Sequence, residues 1–244
     1  MKKRLFVSDL VKRKKFPLKD DEKKYLLKVL RLEDGDGVEL FDGSGNIALS
    51  KLRIRGNVAW VEVVERERVP SPFKIHLTIG LSAIRVQNFE WALIKCNELM
   101  VETIIPFFSK YTISTGREKR IIDKIDRFKK LVIESSRQCG RNYLLYIKNL
   151  RGFSELLSED DYDFKILLDV GGKKGFYSFL NSKREELFGK KILCLIGPEG
   201  GWSVDEIEMA KKKNFLHIKF GNSILKSETA AVAVASSFYL FFYS

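Results

Sequence analysis

The chain has 244 residues, of which 45% are hydrophobic and 31% are charged, and it contains five prolines. This composition excludes a disordered chain, a collagen-like repeat and a disulfide scaffold, and the length allows one large domain or two small ones. The formal net charge is +12, from 44 Lys and Arg against 32 Asp and Glu. Such a basic excess favours a polyanionic partner, either a nucleic acid or an acidic membrane surface.

The basic charge lies in two blocks of the sequence. Residues 1–31 hold 12 basic and 4 acidic side chains, and residues 110–151 hold the same numbers, so each block carries +8 and the remaining residues carry −4. Charge runs of this kind are usually solvated faces. Two separate blocks in an otherwise slightly acidic chain favour a surface that follows a phosphate backbone.

The residues that could bind metal are few and badly spaced. No pair of the three cysteines has metal-ligand spacing, and only His76 and His217 could assist them, so we expect no metal site. An odd number of cysteines, far apart in the sequence, favours a reduced cytoplasmic interior. The most apolar stretch, Ala230–Phe242, is too short to span a bilayer, and we expect a buried helix there and no membrane partner. The cysteines are Cys96, Cys139 and Cys194.

Residues 1–69 are predicted to be mostly strand. A short helix over about residues 20–31, with Tyr25, Leu26, Val29 and Leu30 on one face, interrupts the strands. Short strands joined by tight turns indicate a small β barrel, which we assign to residues 1–70. The predicted strands are Val38–Phe41, Ile47–Ile54 and Val58–Val64, the last two joined by a hairpin turn at Arg55-Gly-Asn57.

From Phe73 onward, strands alternate with segments of helical length. Apolar residues recur at helical spacing over Phe89–Met100 and again over Ile121–Val132. This alternation predicts a parallel sheet covered on both faces, and hence a second, α/β domain over residues 73–244. The predicted strands are Ile75–Leu81, Thr103–Phe108, Tyr143–Ile147, Ile166–Val170, Ile192–Ile196 and Leu216–Phe220.

Three loops follow predicted strands of this sheet, at the edge where open α/β sheets bind ligands. They are Asp169–Gly175, Ile196–Trp202 and Phe220–Ala230. Neither GxxxxGK[ST] nor GxGxxG occurs, so phosphate-binding loops are not indicated. Glycines after a buried strand would let a ligand touch the backbone, although a plain strand-to-helix corner explains them equally well. Ser203 and Glu206 could cap the following helix reciprocally.

The order of the last two loops is specific. Ile196–Ser203 reads IGPEGGWS and Ile224–Ala230 reads ILKSETA. Together they resemble the end of the RsmE family, SPOUT-class methyltransferases that methylate N3 of a uridine in 16S ribosomal RNA, uridine 1498 in the usual numbering. The resemblance covers nearly the whole chain, with further matches at Val29-Leu-Arg31, Gly35-Asp36, Leu40-Phe-Asp-Gly43, Lys95, Glu98-Leu99, Ile105-Pro106, Glu134, Gln138 and Arg141.

The resemblance implies the fold, the cofactor and the partners. The fold would be a SPOUT-like α/β domain with a parallel sheet and a C-terminal trefoil knot, preceded by a PUA-like β-barrel that binds RNA. The cofactor would be S-adenosylmethionine, and the protein would be a homodimer acting on small-subunit ribosomal RNA or the assembled 30S subunit. The residues that would bind the cofactor are Leu168, Ile196, Gly197, Pro198, Gly200, Gly201, Phe220, Gly221, Ile224 and Leu225.

Further roles follow from the same resemblance. Glu228 and Glu199 are candidates for orienting the uracil or accepting its proton, and Lys226 for the cation beside the base. Each carboxylate also has a structural interpretation, because Glu199 could bond the N–H groups of the next helix and Glu228 would lie in a first helical turn. Phosphate contacts are expected, with solvated surface as the alternative, from Arg4, Arg31, Arg137 and Arg141.

The chain departs from the family pattern at five places. The family usually has Arg at Lys226, Gly at Met100, Lys near Asn88, an arginine near Tyr111 and a proline around Leu145. Lysine keeps the charge at position 226 but lacks the planar fork of arginine. Three alternatives therefore stay open: an inactive ribosomal-RNA-binding protein, a methyltransferase of this class that acts on another RNA, and an enzyme that uses another nucleotide on a flavodoxin-like sheet.

Overall fold

The computed structural model describes residues 3–113 and 117–244. The chain divides into two compact units, which we describe separately. The first comprises Met1–Pro72 and the later segment Ile133–Leu144, and the second comprises Phe73–Val132 and Leu145–Ser244.

The first unit is built on a mainly antiparallel sheet with the strand order β1–β3–β4–β5–β2. The register of the two long strands shifts between Leu49 and Ser50, and such a bulge bends a strand, so the sheet curls around its core. Its elements are β1 (Arg4–Phe6), β2 (Lys15–Pro17), α1 (Asp20–Lys23), a π-helix (Lys24–Val29), β3 (Gly37–Phe41), β4 (Asn46–Arg55) and β5 (Val58–Arg68).

The core of the first unit is apolar and includes the predicted helix. Leu26 is fully buried there with Leu40 and Leu52, as the sequence pattern predicts. Val29, expected on one face with Leu26, is 55% exposed and lies outside the buried part of the helix. A π-helix closes i→i+5 hydrogen bonds, and its side chains therefore drift off the spacing of an α-helix.

The second unit is a parallel sheet with the strand order β11–β13–β10–β12–β6–β7–β8, with β9 also paired to β7. Helices alternate with these strands along the chain, as predicted. The elements are β6 (His76–Ser82), α2 (Val86–Glu98), β7 (Thr103–Phe108), α3 (Lys110–Ile113), α4 (Arg117–Ile122), α5 (Ile125–Cys139, which belongs to this unit as far as Val132), β8 (Tyr146–Ile147), β9 (Arg151–Gly152), α6 (Phe153–Leu157), β10 (Phe164–Leu168), β11 (Lys174–Gly175), α7 (Phe176–Leu187), β12 (Lys191–Ile196), α8 (Val204–Lys212), β13 (Leu216–Lys219) and α9 (Ser227–Tyr243).

The helices differ from the sequence prediction in two places. The helix expected over Ile121–Val132 is interrupted, since α4 ends at Ile122 and α5 begins at Ile125. The expected buried helix is α9, but burial holds for one face only, because Phe238 is buried while Leu240 is 64% exposed. Within the described ranges, no helix combines the length and the apolarity needed to cross a bilayer.

Candidate functional site

A cavity of about 280 Å³ lies at the carboxyl ends of β10, β12 and β13, which are neighbours in the sheet. Its volume is close to the lower end of the range for small-molecule sites, about 300 to 1,000 Å³. The structure brings together around it all ten residues that the sequence proposes for cofactor binding: Leu168, Ile196, Gly197, Pro198, Gly200, Gly201, Phe220, Gly221, Ile224 and Leu225.

Two side-chain hydrogen bonds tie the cavity walls to one another. The Ser227 hydroxyl, in the first turn of α9, donates to the Gly197 carbonyl oxygen at 2.6 Å. The Trp202 indole Nε1–H donates to the Leu168 carbonyl oxygen at 2.8 Å. The loops that follow β10 and β12 and the start of α9 are therefore held in a fixed relation around the cavity.

The glycines of the loop after β12 have distinct steric roles. A Cβ at Gly197 would lie 2.8 Å from the Trp202 ring, so a larger residue would displace that ring. Gly201 has φ +71°, and its N–H closes a turn on the Pro198 carbonyl oxygen at 2.9 Å. This conformation favours glycine, because other residues rarely adopt positive φ.

The helix after this loop begins as the sequence predicts. Ser203 accepts from the Glu206 N–H at 3.3 Å, and the Ser203 N–H donates to Glu206 Oε2 at 2.9 Å, which confirms the reciprocal cap. Glu206 Oε1 also accepts from the Lys110 N–H at 2.8 Å. One buried carboxylate therefore orients both the start of α8 and the start of α3.

The three candidate catalytic residues occupy different positions. Glu199 lines the cavity and is exposed. Lys226 is exposed and occupies the N-cap position of α9, between two lining residues, Leu225 and Ser227. Glu228 is 9% exposed, and its Oε1 accepts from Asn88 Nδ2 at 2.8 Å. Its Oε2 is buried and has no hydrogen-bond partner within the described part of the chain.

Sequence reasoning missed a polar pair at the same cavity. Asp169 follows β10 directly and lines the cavity, and its Oδ2 lies 2.8 Å from His217 Nε2 on β13. The available signal was an acidic residue immediately after a buried strand and before two glycines. Its histidine partner is far away in sequence, and only the pairing of β10 with β13 brings the two together.

The comparisons with known proteins bear on the whole chain. A family model described as the RNA methyltransferase domain matches residues 70–239, and one described as the RNA methyltransferase PUA domain matches residues 18–56. A ribosomal RNA small subunit methyltransferase E of Buchnera aphidicola from Schizaphis graminum is 31% identical, covering 87% of this chain and 85% of the relative. The chain belongs to the RsmE family.

Two further similarities extend over almost the full length. The RsmE protein of Buchnera aphidicola from Acyrthosiphon pisum is 27% identical, with 96% of each chain covered. A crystal structure of the RsmE protein of Neisseria gonorrhoeae bound to S-adenosyl methionine superposes with a TM-score of 0.81, at 24% identity and over 99% and 98% of the two chains. The second similarity establishes the fold alone.

The departures from the RsmE pattern include three positions with clear contacts or conformations. Met100, where the family usually has glycine, follows α2 with φ +62°, a conformation that costs a non-glycine residue about 1 kcal/mol. Asn88 donates to Glu228. A Cβ at Gly200 would lie 3.3 Å from the Tyr111 Cβ, so Tyr111 packs beside the glycine loop. Of the five departures, Asn88 therefore contacts the candidate catalytic residue Glu228, and Tyr111 lies beside the loop that contains Gly200.

The four arginines expected to contact phosphates differ in exposure. Arg31 is exposed, and Arg137 is partly buried above the Tyr25 ring at 3.7 Å. Arg4 is 2% exposed and donates to Glu39, Asn142 and the Ser136 carbonyl oxygen, and Arg141 is 5% exposed. This burial argues against phosphate contacts for Arg4 and Arg141, because both side chains are occupied inside the first unit. Phosphate contacts by Arg31 and Arg137 stay predictions.

Proposed function

We propose that this protein transfers the methyl group of S-adenosylmethionine to N3 of one uridine, the uridine 1498 of the family, in 16S ribosomal RNA. The observation that carries the proposal is the convergence of the two characteristic loops on one cavity at the carboxyl ends of β10, β12 and β13. Membership of the RsmE family supports it, as does the S-adenosyl methionine in the structure of the relative from Neisseria gonorrhoeae.

The chemistry of the cavity wall fits this cofactor. The lining residues offer apolar side chains and the backbone groups of a glycine loop, which suit an adenosine moiety. Among the described residues that line the cavity, the charged side chains are Asp169 and Glu199, both acidic. Such a wall favours a ligand with positive charge and disfavours the phosphates of ATP, which argues against an enzyme of another nucleotide class.

The task of the protein in this reaction is mainly placement. When bound, S-adenosylmethionine supplies an activated methyl group on a sulfonium. The Ser227–Gly197 and Trp202–Leu168 hydrogen bonds fix the walls that would orient it, and the uridine must be unpaired because N3 lies on its pairing edge. Orientation of two reactants can contribute about 7 to 11 kcal/mol to lowering a barrier.

The uracil N3–H must also lose its proton, and Glu228 is the candidate that the contacts favour. Asn88 holds one carboxylate oxygen, and the other lacks a partner within the described residues. Glu199, on the cavity wall, would orient the base, and Lys226, at the N-cap position of α9, would stabilise its developing negative charge.

Cys194 is a poor candidate for a nucleophile. Methyl transfer to a pyrimidine carbon would call for a cysteine nucleophile that first adds to the base. Burial raises the pKa of the Cys194 thiol, on the strand that leads into the cavity, so a thiolate there is disfavoured. A ring nitrogen needs no such nucleophile, so the burial of Cys194 is compatible with N3 as the acceptor.

The partners and assembly belong to the same proposal. We propose small-subunit ribosomal RNA, free or in the 30S subunit, as substrate, a homodimer as the working form, a trefoil knot at the C-terminus and a cytoplasmic location. The domain boundaries at residues 70 and 73 stay a prediction.

The test is mass-spectrometric mapping of modified nucleotides in 16S ribosomal RNA from cells with and without this protein. We expect one N3-methyluridine to disappear in its absence and to return when the chain is supplied. An unchanged N3-methyluridine would refute the proposed target. If a different RNA loses a methyl group instead, the protein is still an RNA methyltransferase, but its substrate is that RNA.

A further inference from the structure

Asp169 is the nearly buried charged side chain of the cavity. It follows β10, lines the cavity, and its side chain is 13% exposed. Its N–H donates to the Ile218 carbonyl oxygen at 3.0 Å, which extends the pairing of β10 with β13 by one residue. The position of the Asp169 backbone is therefore set by the sheet and not by a free loop.

The two oxygens of this carboxylate have different surroundings. Oδ2 accepts from His217 Nε2 at 2.8 Å and from the Gly171 N–H at 3.1 Å. Oδ1 accepts no hydrogen bond from any residue of the described ranges. Oδ1 therefore carries part of the remaining exposure of this side chain on the wall of the cavity, where a ligand group can donate a hydrogen bond to it.

His217 fixes the orientation of this carboxylate. It lies on β13 opposite Leu167 of β10, and its side chain is 20% exposed. Because the carboxylate can only accept, the imidazole donates through Nε2, and this bond holds Oδ2 against β13. The glycine at 171 assists, since a Cβ there would lie 3.0 Å from the same oxygen.

We propose that Asp169 Oδ1 binds a hydrogen-bond donor of the methyl donor, either a ribose hydroxyl or the ammonium of the methionine part, and that His217 positions Asp169 for this contact. The inference rests on the proposed function and adds a specificity residue to it. Together with the lack of Lys and Arg among the described lining residues, the contact selects a hydroxylated or cationic ligand over a phosphorylated one.

The test is calorimetric titration of the full chain and its Asp169→Asn variant with S-adenosylmethionine and with methylthioadenosine, which keeps the ribose but lacks the ammonium. Asparagine can still accept from the Gly171 N–H, but it then presents its NH₂ group where Oδ1 was. We expect affinity for S-adenosylmethionine to fall about 10- to 100-fold, as for a lost hydrogen bond to a charged group. The matched control is Asp160→Asn, an exposed carboxylate 84% accessible, which we expect to change nothing.

The second ligand identifies the donor. If a ribose hydroxyl is bound, Asp169→Asn weakens both ligands by the same factor. If the ammonium is bound, only S-adenosylmethionine is weakened. Unchanged affinity for both ligands in Asp169→Asn, with normal binding by the unmodified chain, would overturn this inference alone. An unmodified chain that binds no S-adenosylmethionine would overturn the proposed function together with it.

The positioning role of His217 has its own test. We expect His217→Leu to weaken S-adenosylmethionine about fivefold or more, and His217→Gln, which keeps a donor for Oδ2, to restore affinity to within about twofold. If the role of His217 were merely structural, substitution would lower the thermal unfolding midpoint, but His217→Leu and His217→Gln would bind S-adenosylmethionine with the same affinity. Equal affinity in both variants would overturn the role of His217, and these variants remain informative if Asp169→Asn does not fold.

Discussion

Glu228 combines burial with incomplete hydrogen bonding. It is 9% exposed, Asn88 donates to one of its oxygens, and the other has no partner within the described residues. Its place in the first turn of α9 stabilises negative charge, but this term is worth only about 0.3 to 1 kcal/mol. An incompletely satisfied buried carboxylate is costly to stability, and a role in the reaction accounts for it.

The first prediction concerns the chemistry of Glu228. Glu228→Gln keeps the shape and the contact with Asn88 but removes the base, so we expect turnover to fall about 100-fold or more while cofactor affinity stays within about twofold. Steady-state methyl transfer and calorimetry measure the two quantities. Glu186→Gln, on the exposed side of α7, is the matched control. Normal turnover in Glu228→Gln would remove this residue from catalysis.

The second prediction concerns Gly197. A methyl group at this position would press on the Trp202 ring, whose Nε1–H holds the Leu168 carbonyl oxygen. We expect Gly197→Ala to weaken S-adenosylmethionine about tenfold or more, because the cavity wall must shift. In Gly175→Ala the added group would meet only Ser178 Oγ at 3.9 Å, which makes it the control. Equal affinities in both variants would show that the wall tolerates the shift.

For single residues, the sequence predicted the features that neighbouring residues determine, but it did not predict contacts between residues far apart in the chain. The glycines around Gly197 and the Ser203–Glu206 cap follow from short-range chain geometry, so the sequence alone located them. The partner of Asp169 is 48 residues away and is decided by which strands pair. The burial of Arg4 likewise depends on a segment more than 130 residues later in the chain.

Among the elements, α9 has the strongest link to the site. Its first turn carries Ser227, which holds the Gly197 carbonyl oxygen, and Glu228, which faces Asn88 on α2. Its later turns bury Val234 and Phe238. The helix therefore joins the packing of the second unit to the geometry of the cavity.

The third prediction tests this link. Ser227→Ala removes the hydrogen bond to Gly197, so we expect the free energy of unfolding to fall by about 1 kcal/mol and cofactor affinity to fall with it. Ser237→Ala, on the same helix, removes only a local bond to the Ala233 carbonyl oxygen and serves as the control. Denaturant titration and calorimetry provide the measurements. A lower free energy of unfolding with unchanged cofactor affinity would show that the start of α9 does not determine the geometry of the cavity.

Element type was predictable from sequence period, while element ends and exposed faces were not. The residues of β6 are buried almost throughout, as expected for the predicted parallel sheet with both faces covered. The break between α4 and α5 leaves the apolar spacing intact, so the period does not reveal it. Helix α9 is apolar on both its buried and its exposed side, so the sequence does not indicate which side faces solvent.

At the scale of the whole molecule, the basic blocks contain side chains of two kinds. Arg4 and Arg141 are buried and hydrogen-bonded within the first unit, whereas Lys124 and Lys130 of the second unit are exposed. Net charge therefore indicates the class of partner, and burial decides which charges can reach it.

The fourth prediction uses this difference. Lys124 and Lys130 are replaced by Gln together. We expect the slope of log affinity for small-subunit RNA against log salt concentration to become shallower by about 1 to 2, because binding releases fewer counterions when phosphate contacts are lost. The control is the pair Lys183→Gln and Lys211→Gln, exposed lysines outside the basic blocks. An unchanged slope in the first pair, or an equal fall in the control, would contradict a phosphate-binding surface on this part of the chain.

The most direct measurement of the central claim is transfer of an isotopically labelled methyl group by the purified protein. Small subunits lacking the modification are incubated with the chain and methyl-labelled S-adenosylmethionine, and the RNA is digested and analysed by mass spectrometry. We predict label on N3 of a single uridine of 16S ribosomal RNA, and much less label with Gly197→Ala. Absence of label from the RNA, or label on another atom of the base, would contradict the account.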